Sequence, residues 1–234
     1  MPDDDQKLVI ENPVSIREKV YEYIRNRILS GKITPSTRMV ETQLANEIGT
    51  SRTPVREALH VLEMEGLLEA IPRVGYQVKE LKWEDVEEIC EIRAVNEILA
   101  CRWAMQRITP DDLKSIEDNL TLAEAEIKEG HPESFVERDA EFHELLVKAS
   151  GSERLLELCS MLRRHMLRYR VESLYLPETA LRAIGGHRRI LNCLKEKNEE
   201  DFEAAIREHL EQSKQDIHRY AFEEKLPRED KAER

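Results

Sequence analysis

The stretch Thr50-Ser51-Arg52-Thr53-Pro54-Val55-Arg56-Glu57-Ala58-Leu59 constrains this chain more than any other. It opens a short amphipathic helix with two arginines and small hydroxyl residues at its start. A second short segment, Glu41 to Ile48, precedes it across a turn containing Gly49. Two short helices joined by a glycine turn, the second opening with hydrogen-bond donors, make a helix-turn-helix suited to a DNA major groove. Arg52 and Arg56 stand one helical turn apart and share a face. Guanidinium groups fork onto guanine O6 and N7 or onto phosphate. Ser51, Thr53 and the helix N-terminus add phosphate donors. The alternative is that Arg56 pairs with a neighbouring carboxylate while Arg52 is solvated.

The flanking pattern supports a compact head. From Ser15, apolar residues at Val20, Tyr23, Ile24, Ile28 and Leu29 form one helical stripe, with Ser15 and Glu18 in capping-box spacing and Gly31 ending the run. Leu44, Ala45 and Ile48 face inward from the second helix, and Val55, Ala58, Leu59 and Leu62 from the third, which Gly66 stops. Leu67 to Ile71 and Tyr76 to Val78, around Pro72-Arg73-Val74-Gly75, read as a hairpin, that is, a wing closing near Lys79. Everything after Trp83 reads as helix, at about 84–106, 110–129, 132–150, 152–173, 177–197 and 199–222, with turn signals between. The expected fold class is mainly α: an N-terminal winged helix-turn-helix over 13–80, then an all-α six-helix bundle over 83–225. Polar tails at 1–12 and 226–234 flank them.

A formal charge of -12 is unusual for a DNA binder. Residues 1–80 carry 11 Lys+Arg against 13 Asp+Glu, and residues 81–234 carry 25 against 35, so most of the acid excess lies outside the head. Such a head depends on a few placed arginines and on pairing two heads. No apolar run approaches the roughly 20 residues that span a bilayer, and the acidic N-terminus has no signal core. The expected setting is therefore cytoplasmic, without a membrane partner. Cys90, Cys101, Cys159 and Cys193 have no paired spacing and read as reduced, buried helix residues.

In the helical half, Asp139 and His143 leave one helix face together, and His187 and His209 lie on two later helices. One carboxylate and three imidazoles suit a divalent ion such as Zn²⁺, Ni²⁺, Mn²⁺ or Fe²⁺ if they converge. By spacing alone, ordinary core or surface residues are the commoner reading of such a set. Arg163-Arg164-His165, with Arg168 and Arg170, lines the same cavity, holds a dimer interface or forms a solvated face; solvation suits most of it.

Gly31-Lys32-Ile33-Thr34-Pro35, Leu44-Ala45, Gly49 to Leu59, Leu62-Glu63 and Glu65-Gly66-Leu67 resemble the winged helix-turn-helix of GntR regulators over most of 14–79. Arg73 and Gly75 resemble its wing tip. Thr42 stands where many members carry a DNA-touching arginine, which changes the expected operator preference. Arg38 is nearby, as a DNA contact or a partner of Glu41. Residues 83–225 resemble the FCD ligand-binding domain of the FadR branch. Asp139-Ala140-Glu141-Phe142-His143, His187-Arg188-Arg189-Ile190-Leu191 and Glu208-His209-Leu210 match its metal-ligand segments, and the six-helix length matches the VanR-like subgroup. The resemblance implies a homodimeric transcription regulator, a repressor by expectation, that binds a double-stranded DNA operator. It implies a metal centre that holds a small organic-acid effector, with Arg93 as the effector-binding arginine. The alternative for Arg93 is an exposed pair with Glu97. A competing class is a metal-dependent hydrolase or other metalloenzyme using the Asp/His₃ set, although no separate general base stands out. A third is a purely structural ion.

Overall fold

The computed structural model describes residues 15–29, 31–80, 82–174 and 176–223, leaving aside the side chains at 168 and 170–174. The tails expected at 1–12 and 226–234, and the Arg168 and Arg170 side chains, lie outside the described residues. The chain divides between Lys79 and Glu80 into two compact units.

The N-terminal unit runs α1 (Ile16–Leu29), β1 (Arg38–Met39), α2 (Glu41–Ile48), α3 (Arg52–Met64), β2 (Leu68–Ile71) and β3 (Gly75–Val78). Ser15 Oγ accepts the Glu18 backbone N–H at 3.1 Å, as the capping spacing predicts. Gly49 closes α2 in the left-handed region, φ 77°, and its N–H donates to the Ala45 carbonyl. The strands form one antiparallel sheet in the order β1-β3-β2, with Met39 opposite Tyr76 and Ala70 opposite Tyr76 on the other side. Strand β1 escapes the sequence pattern because two residues carry no period. Its pairing with β3 supplies the backbone partners. The core gathers Val20, Ile24, Met39, Leu44, Ala45, Val55, Ala58, Leu59, Leu62, Leu67, Leu68 and Val78. Tyr23, expected inward, is 47% exposed and its hydroxyl accepts from Arg27. Leu59 is completely buried. Truncating such a side chain to alanine typically costs about 2–5 kcal/mol.

The C-terminal unit is all helical among the described residues: α4 (Trp83–Arg107), α5 (Pro110–Lys128), α6 (Phe135–Lys148), α7 (Glu153–Leu174), α8 (Pro177–Glu196) and α9 (Glu199–Ile217). Thr109 and Asp112 form a reciprocal capping box at the start of α5, with Pro110 in its first turn. The helix expected from 132 begins instead with a single 3-10 turn over Pro132–Ser134. The last helix ends at Ile217 and continues as a wider π-type turn over His218–Glu223, whose His218 and Phe222 rings both meet Trp83 edge-on. A core from α4, α5, α6, α8 and α9 centres on Ile98, Cys101, Leu120, Phe142, Leu146, Ile190 and Ile206. All four cysteines are free and buried. No helix among the described residues is long and apolar enough to cross a membrane.

Candidate functional site

The N-terminal unit puts the expected groove-reading residues on its surface. Arg38, Thr42, Ser51, Arg52, Thr53, Arg56 and Arg73 are exposed, and Gly75 is half-buried. Ser51 stands at the N-cap of α3 in extended conformation without a side-chain bond to the helix. Glu41, the first residue of α2, gathers the two recognition arginines. Arg56 donates from Nε to Oε1 at 3.0 Å and from Nη2 to Oε2 at 2.9 Å, while Arg52 Nη2 donates to Oε2 at 3.3 Å. The hydrogen bond from Arg56 outweighs burial and holds the Glu41 carboxyl below the usual range, and the same bond raises the Arg56 guanidinium. So the carboxylate pairing weighed for Arg56 is present, and it includes Arg52. Arg38 lies on β1, opposite Gln77. Gly75 has a packing reason of its own: at φ +130°, a Cβ there would lie 2.7 Å from the Met39 carbonyl oxygen.

In the C-terminal unit, α6, α8 and α9 bring the expected ligands together. Asp139, His143, His187 and His209 are all buried, at 5%, 1%, 0% and 5% exposure. The three imidazoles each offer a nitrogen within 4.8 Å of the others. Asp139 Oδ1 sits 3.6 Å from His187 Nε2. The Phe142 ring stacks on His187 at 3.9 Å between centroids. Gly186 lets α8 approach α9, because a Cβ there would lie 2.9 Å from His209 Nδ1. Burial lowers His143 below the usual imidazole range despite the opposing pull of Glu97, so its ring is neutral and fit to donate a lone pair. Neither His143 ring nitrogen has a well-aligned hydrogen bond. Three buried, convergent imidazoles beside a carboxylate match the donor set of a borderline divalent ion.

Arg93 lies in this core at 1% exposure, rather than at the surface as its alternative reading had it. Its Nε donates to Glu97 Oε1 at 2.9 Å, and its Nη2 lies 2.9 Å from the same oxygen. Nη1 has no hydrogen-bond partner. The other oxygen of Glu97 lies 3.2 Å from His143 Nδ1. Burial would raise the Glu97 carboxyl, but the Arg93 charge and then His143 reverse that and leave it ionised. Sequence reasoning passed over Glu97 as a site residue. Its signal is the core periodicity of Ala94, Ile98 and Cys101 on the same helix. The basic cluster on α7 splits: Arg163 turns inward and donates to the Ala140 carbonyl, its Nε buried, while Arg164 is exposed. Burial pushes the Arg163 guanidinium down, against the attraction of Glu97 and Asp139.

Comparison with known proteins addresses both units. Residues 16–78 match the family of bacterial regulatory proteins called gntR, and residues 88–212 match the FCD domain. The helix-turn-helix transcriptional regulator YdhC of Bacillus subtilis is 34% identical over 203 residues, 84% of this chain and 88% of its own length. The transcriptional repressor RspR of Escherichia coli is 27% identical over 88% of this chain and 91% of its own. Among solved structures, McbR/YncC of E. coli superposes with a TM-score of 0.72 at 25% identity, covering 88% of this chain and 99% of that one.

Proposed function

Because the chain belongs to the GntR family of bacterial regulators and carries an FCD domain, we propose that this DNA-binding transcription regulator is controlled by a small carboxylate held at a metal centre in its helical unit. The observation that carries the reading is the buried convergence of His143, His187 and His209 from three helices. Asp139 and the three histidines would hold the ion, which supplies a Lewis-acid anchor for an anionic ligand. Charge argues for that ligand. With neutral imidazoles, Arg93 and Arg163 balance Glu97 and Asp139, so a divalent ion leaves an excess of two positive charges in a buried space. A buried excess of that kind calls for an anionic partner. Arg93 Nη1, a buried donor without a partner, would meet the carboxylate.

In the head, Arg52 and Arg56 read base edges, while Ser51, Thr53, Arg38, Thr42 and Arg73 contact the backbone of the operator. The protein works as a homodimer. Ile92, Val95 and Leu99 form an exposed apolar stripe along α4, at 39%, 63% and 36% exposure, which suits pairing of two copies. The six helices of the described C-terminal unit favour the VanR-like subgroup. Effector binding tightens α6, α8 and α9 around the centre and shifts the population of the dimer between states of different operator affinity. Repression is the sense of control proposed, and the cytoplasm the place of action.

The test is an operator titration by fluorescence anisotropy. Zn²⁺-loaded protein is measured on a duplex selected from genomic fragments, with and without each member of a panel of small carboxylates. At least one acid should shift the midpoint tenfold or more. Superimposable curves across the panel would end the effector reading.

A further inference from the structure

Glu97 belongs to neither the donor set nor the proposed ligand contacts, yet it touches both. It is buried to 1% exposure, as are its two neighbours Arg93 and His143. An isolated arginine–carboxylate pair usually closes as a two-oxygen fork. Here Arg93 engages Oε1 alone: Nε donates to it at 2.9 Å, and Nη2 lies 2.9 Å from it without an aligned hydrogen bond. That leaves Oε2 for the imidazole, 3.2 Å from His143 Nδ1. The division of the two oxygens is what a carboxylate shows when it serves two partners.

A histidine that ligates a metal through one ring nitrogen carries a proton on the other, and a carboxylate or carbonyl commonly holds that proton. We propose that Glu97 is the positioning residue of the histidine centre: it accepts the Nδ1 proton of His143, so the Nε2 lone pair is the one presented to an ion, and Arg93 pins Glu97 in turn. Arg93 therefore acts twice, through Nε on Glu97 and through Nη1 on a ligand. The metal half of this inference rests on the metal reading above; the tautomer half does not.

Two measurements test it. In the metal-free wild type, long-range ¹⁵N–¹H correlation of the His143 ring should show the proton on Nδ1. A proton on Nε2 would overturn the proposal, and this measurement needs no variant. In the second, E97Q, checked for folding by circular dichroism, is titrated calorimetrically with Zn²⁺ alone. Its affinity should fall roughly 10- to 100-fold relative to wild type, with the His143 proton no longer confined to Nδ1. An affinity within twofold of wild type would also overturn the proposal. If wild type itself took up no Zn²⁺, the metal reading would fall, and the ring correlation would still decide whether Glu97 sets the tautomer.

Discussion

At Glu41 one carboxylate restrains both arginines that the head is proposed to aim at DNA. The restraint holds Arg52 and Arg56 in fixed directions, which lowers the ordering cost of docking. It also cancels positive charge where nonspecific attraction would arise. Because the folded carboxyl lies below its usual value, the contact is intact at neutral pH and is lost only as pH falls below the ordinary carboxylate range. E41Q should therefore bind random duplex more tightly, with a salt slope steeper by about one ion. Titrations at four salt concentrations check this, and an unchanged slope would show that Glu41 does not offset the arginines. R52A/R56A should lose selective capture while keeping its fold, since both side chains are more than half exposed. The thiols are a second case of environment governing chemistry. Burial pushes Cys159 up to about 11 and Cys101 well above its ordinary value. At pH 8 a group at about 11 is thiolate in roughly one molecule per thousand, and thiolate is the reactive form. Ellman's reagent should react slowly with the native chain and promptly with the urea-unfolded one.

Among the elements, the wing and the α8–α9 crossing depend on missing side chains. G75A places a Cβ against the Met39 carbonyl in a backbone region that side chains rarely adopt. It should destabilise the N-terminal unit by about 1–3 kcal/mol, seen as a lower urea midpoint for amide-exchange protection within that unit. G186A should displace the His209 ring, and its Zn²⁺ affinity should drop while the head keeps its unfolding midpoint. Most of the architecture was legible from periodicity. The apolar faces of α3 and of the helical half repeat at three and four residues over long runs, and the wing opens after Gly66 and turns at Gly75. What escaped depends on distant partners. Strand β1 exists through its pairing with Gln77 and Tyr76. The inward turn of Arg93 and Glu97 is invisible in an i,i+4 charge pair, since the same spacing occurs on solvated helices. The pair Gly185-Gly186 did carry a signal: glycine inside a helix costs about 1 kcal/mol against alanine, so a close approach was there to be sought.

For the molecule as a whole, charge is the argument for the proposed assembly. The chain carries a formal charge of -12, and its head has 11 Lys+Arg against 13 Asp+Glu within residues 1–80, so one head alone has little electrostatic hold on a polyanion. In the proposed dimer, two heads joined through their C-terminal units would bind a two-fold operator with the second contact made effectively intramolecular, which can add a factor of about 10²–10⁴ to affinity. The stripe of Ile92, Val95 and Leu99 is where that joining is proposed, and Val95 is its most exposed member at 63%. A charge there costs the single subunit little, because the side chain is already in water. It costs the pair much more, because a carboxylate would be buried against its symmetry copy. V95E should therefore run as a monomer by light scattering and lose operator affinity by a hundredfold or more. Its Zn²⁺ uptake should be unchanged, since Val95 lies on the opposite side of α4 from the buried Arg93, Glu97 and Cys101 face. A V95E protein that stayed dimeric and held operator like wild type would remove this stripe as the pairing surface. Monomers that still bound operator tightly would remove the need for paired heads.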